Sequence, residues 1–431
     1  MYKSKMKLTK EQLDILNGKE GEVKAKVMET IVRYGDMFEA TELVKVSHGT
    51  GHLVTSFGLS LLKPVYKIMD ELIGAGLKVP EGFTMDPRPN DFKNVKCSLI
   101  YKLLFSTILY GKQKKYEEQL KKLGLKSQNA FSCACYFDEM GNIPKKGDVL
   151  SWAESSAVNY ANSVLGARCN RNSGMIDIFG SIIGYVPKFG LLTDEGRRAK
   201  WKVVVKTTKK PEAQILGSAI GLKVMEDVPY VVGLDKWIGT ELNDEAKTYL
   251  KDFGAATASN GAVGLYHVEN LTPEAKELGS KLLVKDYKEY VIDDKELERV
   301  YKSYPVMWKQ VDKKGDLAFI GCPHLSYVQL EEWANNIVDT LKNNGKTKVN
   351  CQTVLCTAPP VKEKFEKTDL YKKLYATGAR ITAICPLMYT SNPLTKNKRL
   401  MTCSNKLRTY STARYYKNAD LLNIICGKEE K

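Results

Sequence analysis

Short β-branched runs that alternate with longer helical patterns are the feature that most restricts the fold of this chain. The runs are WKVVVK, YVVGL, GAVGLYHV, LAFIGC, KVNCQTVLC and ARITAIC. Most of them are followed by turn residues and then by apolar residues at helical spacing. This alternation predicts an α/β protein with mainly parallel sheets, in which functional side chains lie at the carboxyl ends of strands.

Apolar residues at helical spacing predict helices over residues 8–40, 60–76 and 98–124, and Thr9 is suited to cap the first of them. The chain has 431 residues, a length that suggests about two to three globular units. Neither an internal repeat nor a Pro/Gly/Ser-rich linker divides it, so the sequence predicts soft internal boundaries.

The chain carries a net charge of +16, which raises the question of a nucleic-acid partner. Its lysines are interleaved with acidic residues, as in KKYEEQLKKLGLK, a pattern typical of solvated helix faces. Nucleic-acid binding is therefore disfavoured, while the basic balance suits a small anionic substrate. The longest apolar runs fall short of the ~18 to 20 residues needed to cross a bilayer, and the charged start favours a cytoplasmic protein without membrane contact.

Ten cysteines in such a protein do not predict a disulfide framework, and none has zinc-ribbon spacing. Cys322 and Cys385 each end an apolar strand and precede a proline, and Cys133 lies in a polar loop. Three thiolates brought together by folding could hold an iron–sulfur cluster that leaves one iron without a protein ligand. For each cysteine alone, the alternative is a small buried apolar residue.

The stretch AESSAVNYANSVLGARCNRNSG, residues 153–174, places many short polar side chains and two arginines on an alanine-rich run. Such a composition indicates either a site lining or simply a polar helix face followed by a turn. The histidines His48, His52, His267 and His324 form no zinc-binding pair, and no Gly-rich nucleotide loop is present.

Six motifs together resemble, in order, the catalytic domain of aconitase X over residues 7–427. They are LTKEQLDILNGKEG, PKKGDVLSWAESSAVNYANSVLGARCNR, LTDEGRR, FGAATASNGAVGLYHVENLTPEA, DLAFIGCPHLS and TCSNKLRTY. The resemblance implies an α/β aconitase-superfamily catalytic body of three α/β/α subdomains spanning residues 1–431. It also implies that the swivelling domain of that superfamily is absent from this chain.

The resemblance also implies roles for individual residues. Cys133, Cys322 and Cys385 match the family's metal-binding cysteines, and catalytic contributions are expected from Lys145, Ser404 and Lys406. The expected substrate-binding residues are His52, Asp86, Glu154, Ser155, Ser156, Asn162, Arg168, Asn170 and Arg171, of which the two arginines are expected to hold an anionic group. Departures from the family pattern at Asp86, Cys169 and Cys403 surround the expected substrate pocket.

The activity implied is that of a hydro-lyase with an iron–sulfur cluster (4Fe-4S or 2Fe-2S) or a mononuclear iron. The expected reaction is the dehydration of mevalonate 5-phosphate to trans-anhydromevalonate 5-phosphate. Alternatives are a cis-3-hydroxy-L-proline dehydratase, another hydroxy-acid dehydratase, or, in a different class, an iron-responsive RNA-binding protein without catalysis. In the superfamily the base is a serine on the swivelling domain, so a separate small subunit is the expected partner.

Overall fold

Three successive regions of the chain build three separate groups of sheets and helices. The structure is a computed structural model that describes residues 2–47, 49–54, 58–310, 314–395 and 397–427. His48 therefore lies outside the described residues. One large buried apolar cluster lies within the N-terminal region and another within the C-terminal region, while a third joins the middle region to residues 134–169 of the N-terminal region. In the described part of the chain, no helix is both long and apolar enough to span a bilayer.

The N-terminal region is mainly helical, with two small two-stranded sheets, β1 with β4 and β2 with β3. Its elements are α1 (Lys10–Leu16), α2 (Glu22–Met37), β1 (Leu43–Lys45), β2 (Gly51–Leu53), α3 (Lys63–Gly74), β3 (Phe83–Met85), α4 (Leu99–Leu104), α5 (Gln113–Leu123), α6 (Ser155–Tyr160), α7 (Ile176–Ile183) and β4 (Tyr185–Pro187). A π-helical turn extends α4 over Phe105–Leu109, and another extends α6 over Ala161–Leu165.

The predicted N-terminal cap is confirmed, since Thr9 forms a capping box with Gln12. The predicted helix over residues 8–40 is two helices, because Gly18 and Gly21 both adopt positive φ between them. The pattern over residues 98–124 is likewise broken after the π-helical turn, at residues 110–112.

The middle region is a parallel four-stranded sheet in the order β7-β6-β5-β8. Its elements are β5 (Ala199–Val205), α8 (Ala213–Val224), β6 (Pro229–Val232), α9 (Asp235–Ile238), α10 (Asp244–Asn260), β7 (His267–Val268), α11 (Pro273–Leu278), β8 (Leu283–Ile292) and α12 (Asp294–Lys302). The predicted strand GAVGLYHV is reduced to its last two residues. Side chains of α6 and its π-helical turn bind the preceding backbone instead: Asn159 donates to Val263 O and Ser163 accepts from Tyr266 N.

The C-terminal region is a parallel five-stranded sheet in the order β11-β10-β9-β12-β13. Its elements are β9 (Leu317–Leu325), α13 (Tyr327–Asn343), β10 (Gln352–Thr357), α14 (Pro359–Phe365), α15 (Asp369–Ala376), β11 (Arg380–Thr382), α16 (Pro386–Thr390), β12 (Leu400–Thr402), α17 (Asn405–Tyr410), β13 (Arg414–Tyr415) and α18 (Asn418–Cys426).

Cys322 does not end its strand as predicted, because β9 continues through Pro323 to Leu325. The pairing of β9 with β10 shifts register between Leu355 and Thr357, and Gly321 adopts φ +104°, a conformation that favours glycine. The irregularity therefore lies next to Cys322 inside the strand. Cys385 does not end its strand either, because β11 ends at Thr382 and Cys385 is the N-cap residue of α16.

Candidate active site

Three cysteine-bearing segments are joined by one histidine, His324. Its backbone N–H donates to Cys133 Sγ at 3.5 Å, and its ring Nε2 lies 3.0 Å from Ile384 O, directly before Cys385. The ring Nδ1 lies 3.1 Å from the Ser132 hydroxyl, directly before Cys133. Because His324 itself lies two residues after Cys322, a single side chain ties the three segments together.

The bonding of His324 fixes its protonation. Burial lowers the pKa of this histidine to about 4, so its ring is neutral at physiological pH. The carbonyl of Ile384 can only accept, so Nε2 carries the proton and Nδ1 accepts from Ser132. His324 thus holds the three cysteine-bearing segments together by hydrogen bonds, a structural role that sequence reasoning did not assign to it.

The three thiols affect one another electrostatically, which places them in one region of the fold. Burial raises the pKa of Cys385 above its usual range, and Cys322 and Cys133 raise it further. Burial also raises the pKa of Cys322 to about 11, although the ammonium of Lys406 opposes this rise. Burial raises the pKa of Cys133 as well, again against the effect of Lys406. A nearby cation favours the thiolate form that metal binding requires.

A single-ion site is not formed by these groups. Among the residues that the structure describes, no three or more His, Cys, Asp or Glu side chains are arranged to hold one metal ion. An iron–sulfur cluster distributes its thiolate ligands over several iron atoms, so three thiols that bind a cluster need not meet at one point. The donor chemistry of the three segments, all thiols with a cation beside them, fits such a group.

Next to the thiols, a buried ion pair joins the N-terminal and C-terminal regions. Lys406, on α17, donates to Glu154, the N-cap residue of α6, and both side chains are buried. The same carboxylate accepts from the backbone N–H and the hydroxyl of Ser156, at 3.1 and 2.8 Å. Ser155 contributes only a long contact of 3.5 Å to Glu154.

This pairing sets the charges of both groups. Burial alone would raise the pKa of Glu154, but Lys406 and Ser156 lower it to about 2. Burial alone would lower the pKa of Lys406, but Glu154 and the cysteines hold it well above its usual range. The site therefore holds a buried ammonium group beside two of its thiols at any physiological pH.

Ser404 is held beside Cys322. Its hydroxyl donates to the Cys322 carbonyl oxygen and accepts from Leu407 N–H at 3.1 Å, which caps α17. Both bonds support the position of Lys406, the second residue of α17. The structure therefore uses Ser404 as a cap, and its predicted catalytic contribution stays a prediction.

A second buried pair, His52 with Asp86, extends the polar network on the N-terminal side. His52 Nε2 lies 3.3 Å from Asp86 Oδ1, and its Nδ1 lies 3.0 Å from the Thr84 hydroxyl. Burial raises the pKa of Asp86 to about 6; Glu154 adds to the rise, while His52 and Lys406 oppose it. Asp86 thus lies within reach of both charges of the Glu154–Lys406 pair.

The 153–174 segment is divided between site and scaffold. Asn162 donates to the carbonyls of Cys169 and Gly264, and Asn170 is bonded to the backbone at Phe189 and Leu191. Their amides therefore hold loops together. The predicted role of these two asparagines in substrate binding stays a prediction.

The predicted cationic side chains differ in what they contact. Arg168 pairs with Asp194 and donates to Leu192 O at 3.1 Å, whereas Arg171 has no hydrogen bond or ion pair with any described residue. Lys145 is exposed, and it is bonded through its backbone: its N–H donates to the Asp148 carboxylate, and its carbonyl accepts from the Asp148 N–H. The structure brings neither Arg168 nor Lys145 to the Glu154–Lys406 pair.

A cavity of about 540 Å³ lies where the middle and C-terminal regions meet and reaches the buried cysteine of β9. Its lining includes Gln214 and Asp252 from the middle region and Cys322, Cys403 and Ser404 from the C-terminal region. Its volume is in the range of small-molecule sites.

Comparison with known proteins identifies the family to which this chain belongs. Three family models match successive parts of the chain: the first domain of aconitase X matches residues 5–195, the second domain residues 199–302 and the third domain residues 315–424. The chain belongs to the aconitase X family. The three matches coincide with the N-terminal, middle and C-terminal regions, so the predicted three-subdomain α/β body is confirmed.

Individual aconitase X relatives resemble the chain over most of its length. It is 32% identical to the phosphomevalonate dehydratase large subunit of Thermococcus kodakarensis, over 79% of this chain and 78% of that subunit. The corresponding subunit of Methanocaldococcus jannaschii is 29% identical over 94% of this chain and 95% of its own length. The crystal structure of Thermococcus kodakaraensis aconitase X in its holo-form matches with a TM-score of 0.79 and 27% identity, covering 97% of this chain and 100% of that one.

Two motifs that indicated aconitase X have a structural explanation. Arg197, from LTDEGRR, is fully buried and binds both carboxylate oxygens of Glu274, from NLTPEA, at 2.7 and 2.9 Å. His267 lies 2.8 Å from Arg197 O, and burial lowers the pKa of this histidine to about 4. This buried group joins the N-terminal and middle regions, and no sequence pattern distinguished it from a substrate site.

A pH titration tests the Glu154–Lys406 pair in this aconitase X chain. The pKa of Glu154 is lowered from 4.5 to about 2, so its contribution to stability is fully present above pH 4.5 and is lost as the pH falls towards 2. We expect the advantage of the wild type over Glu154→Gln in free energy of unfolding to shrink by roughly 3 kcal/mol over that window. Urea denaturation of both proteins at several pH values measures this difference in free energy of unfolding. A difference that stays constant with pH would contradict the prediction.

Substitution of His324 tests whether this residue holds the three cysteine-bearing segments together. His324→Ala leaves the Ser132 hydroxyl without its acceptor and the Ile384 carbonyl without its donor, which should cost about 1–3 kcal/mol for each group and weaken iron retention by about 10- to 100-fold. His324→Gln offers both an acceptor and a donor and should recover much of the loss. The matched control is His267→Ala, which alters an equally buried neutral histidine and should leave iron content unchanged. Equal iron loss in both alanine variants would argue against this structural role of His324.

Proposed function

We propose that this aconitase X chain is the catalytic large subunit of a phosphomevalonate dehydratase. In the reaction, mevalonate 5-phosphate loses its hydroxyl group and a proton from the neighbouring carbon as water, giving trans-anhydromevalonate 5-phosphate. The observation that carries the proposal is the buried Lys406 ammonium group beside Cys133 and Cys322, in a chain similar over most of its length to archaeal phosphomevalonate dehydratase large subunits.

We assign Cys133, Cys322 and Cys385 as the residues that would hold the iron centre, with His324 positioning their three segments. The mutual effects of the thiols and the buried cation support this assignment. When bound, an iron–sulfur cluster with one iron free of protein ligands supplies Lewis acidity towards a hydroxyl group.

The remaining chemistry belongs to the chain itself. Glu154 keeps Lys406 protonated. The ammonium group of Lys406 then offsets the negative charges of the cysteine thiolates and of the anionic substrate bound next to them. Arg171 has no described partner and is available to bind a carboxylate or phosphate group in bidentate fashion. We assign Arg171 rather than Arg168 to this role, because Arg168 is already paired with Asp194.

A partner subunit completes the proposal. The relatives carry the name large subunit, which implies a small subunit. Ser404 is occupied as a helix cap, so we propose that the small subunit supplies the base that removes the proton. The two subunits together would also exclude water from the site.

Dehydration of cis-3-hydroxy-L-proline is the second candidate. The cis-3-hydroxy-L-proline dehydratase of Hypocrea jecorina is 28% identical over 65% of this chain, but the match spans only 46% of that enzyme. The phosphomevalonate dehydratase subunits match over larger shares of both chains. This difference in coverage favours the phosphomevalonate activity.

The test is anaerobic purification with quantitation of iron and sulfide, followed by assays with the small subunit encoded in the same genome. We expect iron with matching sulfide, and dehydration of mevalonate 5-phosphate only when both subunits are present. Turnover of cis-3-hydroxy-L-proline instead would favour the second candidate. Loaded protein without turnover of either substrate would contradict the proposed activity, and salt-sensitive RNA binding by such a preparation would favour the non-catalytic alternative.

A further inference from the structure

A second cavity, of about 270 Å³, lies between the loop that follows Cys133 and the start of α13. Thr248 of α10 lines both this cavity and the larger one that reaches Cys322. The volume of the second cavity suits a small ligand. We call it the Lys251 cavity, and its lining includes Tyr136, Tyr160, Thr248, Lys251, Ser326 and Tyr327.

The ammonium group at the buried end of this cavity has only one acceptor. The side chain of Lys251 is 1% exposed, and its ammonium group donates to Asp252 at 2.7 Å and to no other described residue. An ammonium group has three donors, so two of them have no acceptor in the described part of the chain. Unpaired donors are costly to bury, and a ligand with acceptor atoms would remove that cost.

The hydroxyl of Tyr136 is a further unpaired group in the lining. Tyr136 is 5% exposed, and its Oη has no hydrogen-bond partner among the described residues. Its ring stacks on that of Tyr160, with centroids 3.8 Å apart, which fixes the direction of the hydroxyl. Burial raises the pKa of Tyr136 well above its usual range, and Tyr160, Cys133, Cys135 and Asp252 raise it further. The hydroxyl therefore lies near both the Cys133 loop and the Lys251–Asp252 pair.

Asp252 balances the charge of Lys251 only in part. Its other carboxylate oxygen accepts from Gln329 at 2.8 Å, and its side chain, 23% exposed, lines the larger cavity. The carboxylate is thus hydrated from the larger cavity, while the ammonium group lines the smaller one. The buried end of the Lys251 cavity therefore has an excess of positive charge.

The rim of this cavity has no such excess. Lys364 is paired with Glu139 at 3.1 Å, and the exposed Lys247 shares the lining with the exposed residues Asp138 and Asp244. Exposed charges are screened by the solvent more strongly than buried ones. Attraction for an anion would therefore come from the buried end.

We propose that the Lys251 cavity binds a small monocarboxylate with a short apolar body. Both oxygens of a carboxylate only accept, so they match the two ammonium donors and the Tyr136 hydroxyl in charge-assisted hydrogen bonds. The apolar body would lie against the rings of Tyr160 and Tyr327. A dianion would bring a second negative charge that one partly balanced ammonium group does not neutralise. This site is separate from the Glu154–Lys406 pair, so the inference goes beyond the proposed function.

The test is calorimetric titration of the iron-loaded chain with sodium butyrate at constant ionic strength. Tyr136→Phe should weaken butyrate binding by about 10-fold, and Lys251→Met by about 30-fold or more. Because the Tyr136 hydroxyl has no described partner, Tyr136→Phe should keep the wild-type melting temperature. A hydroxyl that only supported the fold would lower the melting temperature when removed and would leave butyrate affinity unchanged.

Two variants are matched controls. Lys247→Met removes an exposed lysine from the rim of the same cavity, and Arg171→Met removes the proposed anchor of the substrate. Both should bind butyrate as the wild type does. Butyramide, which has the same apolar body without the charge, should bind at least about 10-fold more weakly than butyrate.

Four outcomes would overturn the proposal. The first two are the absence of saturable butyrate binding by the wild type and unchanged affinity in Tyr136→Phe. Loss of binding in Lys247→Met or Arg171→Met, without loss in Tyr136→Phe, would place the ion on the exposed rim or at the substrate position. Tighter binding of inorganic phosphate than of butyrate would exclude the monocarboxylate class.

Discussion

Replacing Lys406 with methionine is expected to lower the free energy of unfolding by about 3–5 kcal/mol, because it leaves the buried carboxylate of Glu154 without its cation. The same change should abolish dehydration, since it removes the positive charge beside Cys133 and Cys322. Chemical denaturation measures the first effect, and the assay with both subunits measures the second.

A double variant separates these two effects. Lys406→Met combined with Glu154→Gln removes both charges of the pair, so it should recover much of the lost stability and none of the activity. Lys417→Met is the matched control, because Lys417 is a partly exposed lysine beyond α17 with a long contact of 3.6 Å to Glu298. A stable but inactive double variant is the expected result; recovery of activity would show that the ammonium group is not required.

Replacing Cys322 with serine is expected to reduce iron retention by at least about 100-fold and activity in proportion, because a hydroxyl does not replace a thiolate as a ligand of iron–sulfur clusters. Iron and sulfide quantitation after anaerobic purification measures retention independently of turnover. The substitution is nearly isosteric, so the melting temperature of the iron-free protein should change little.

The control for this experiment is Cys351→Ser. Cys351 is a partly buried cysteine that lies directly before β10 in the same region of the fold, and its replacement should leave iron content at the wild-type level. Unchanged iron in Cys322→Ser, or equal loss in both variants, would contradict the assignment of Cys322 as a ligand.

Fold class and the main elements were predictable from local pattern. The strands around WKVVVK, YVVGL and LAFIGC follow from runs of β-branched residues, and the Thr9 cap follows from its spacing to Gln12. Local pattern failed where distant side chains replace regular pairing. The backbone of residues 263–266 is bonded by Asn159, Asn162 and Ser163, about a hundred residues earlier in the chain.

For the candidate site residues too, some features were predictable from the sequence and others depended on contacts between distant segments. The three cysteines were predicted from their local context and from the resemblance to aconitase X, whereas Glu154 and Lys406 were predicted from the resemblance alone. Sequence did not reveal which cations are already paired. Arg168 contacts Asp194 and Arg197 contacts Glu274, while Arg171 has no described partner.

What the sequence alone indicated was therefore chemical: an α/β chain of the aconitase X type, with three cysteines, Lys406 and Glu154 among its predicted site residues. Only the tertiary structure showed which residues from distant parts of the chain contact one another. His324 joins the segments of Cys133 and Cys385, and Lys406 meets Glu154 across 252 positions of chain. The reason is physical: patterning reports which face of an element is buried, whereas hydrogen bonds and ion pairs between distant segments depend on how the packed elements meet.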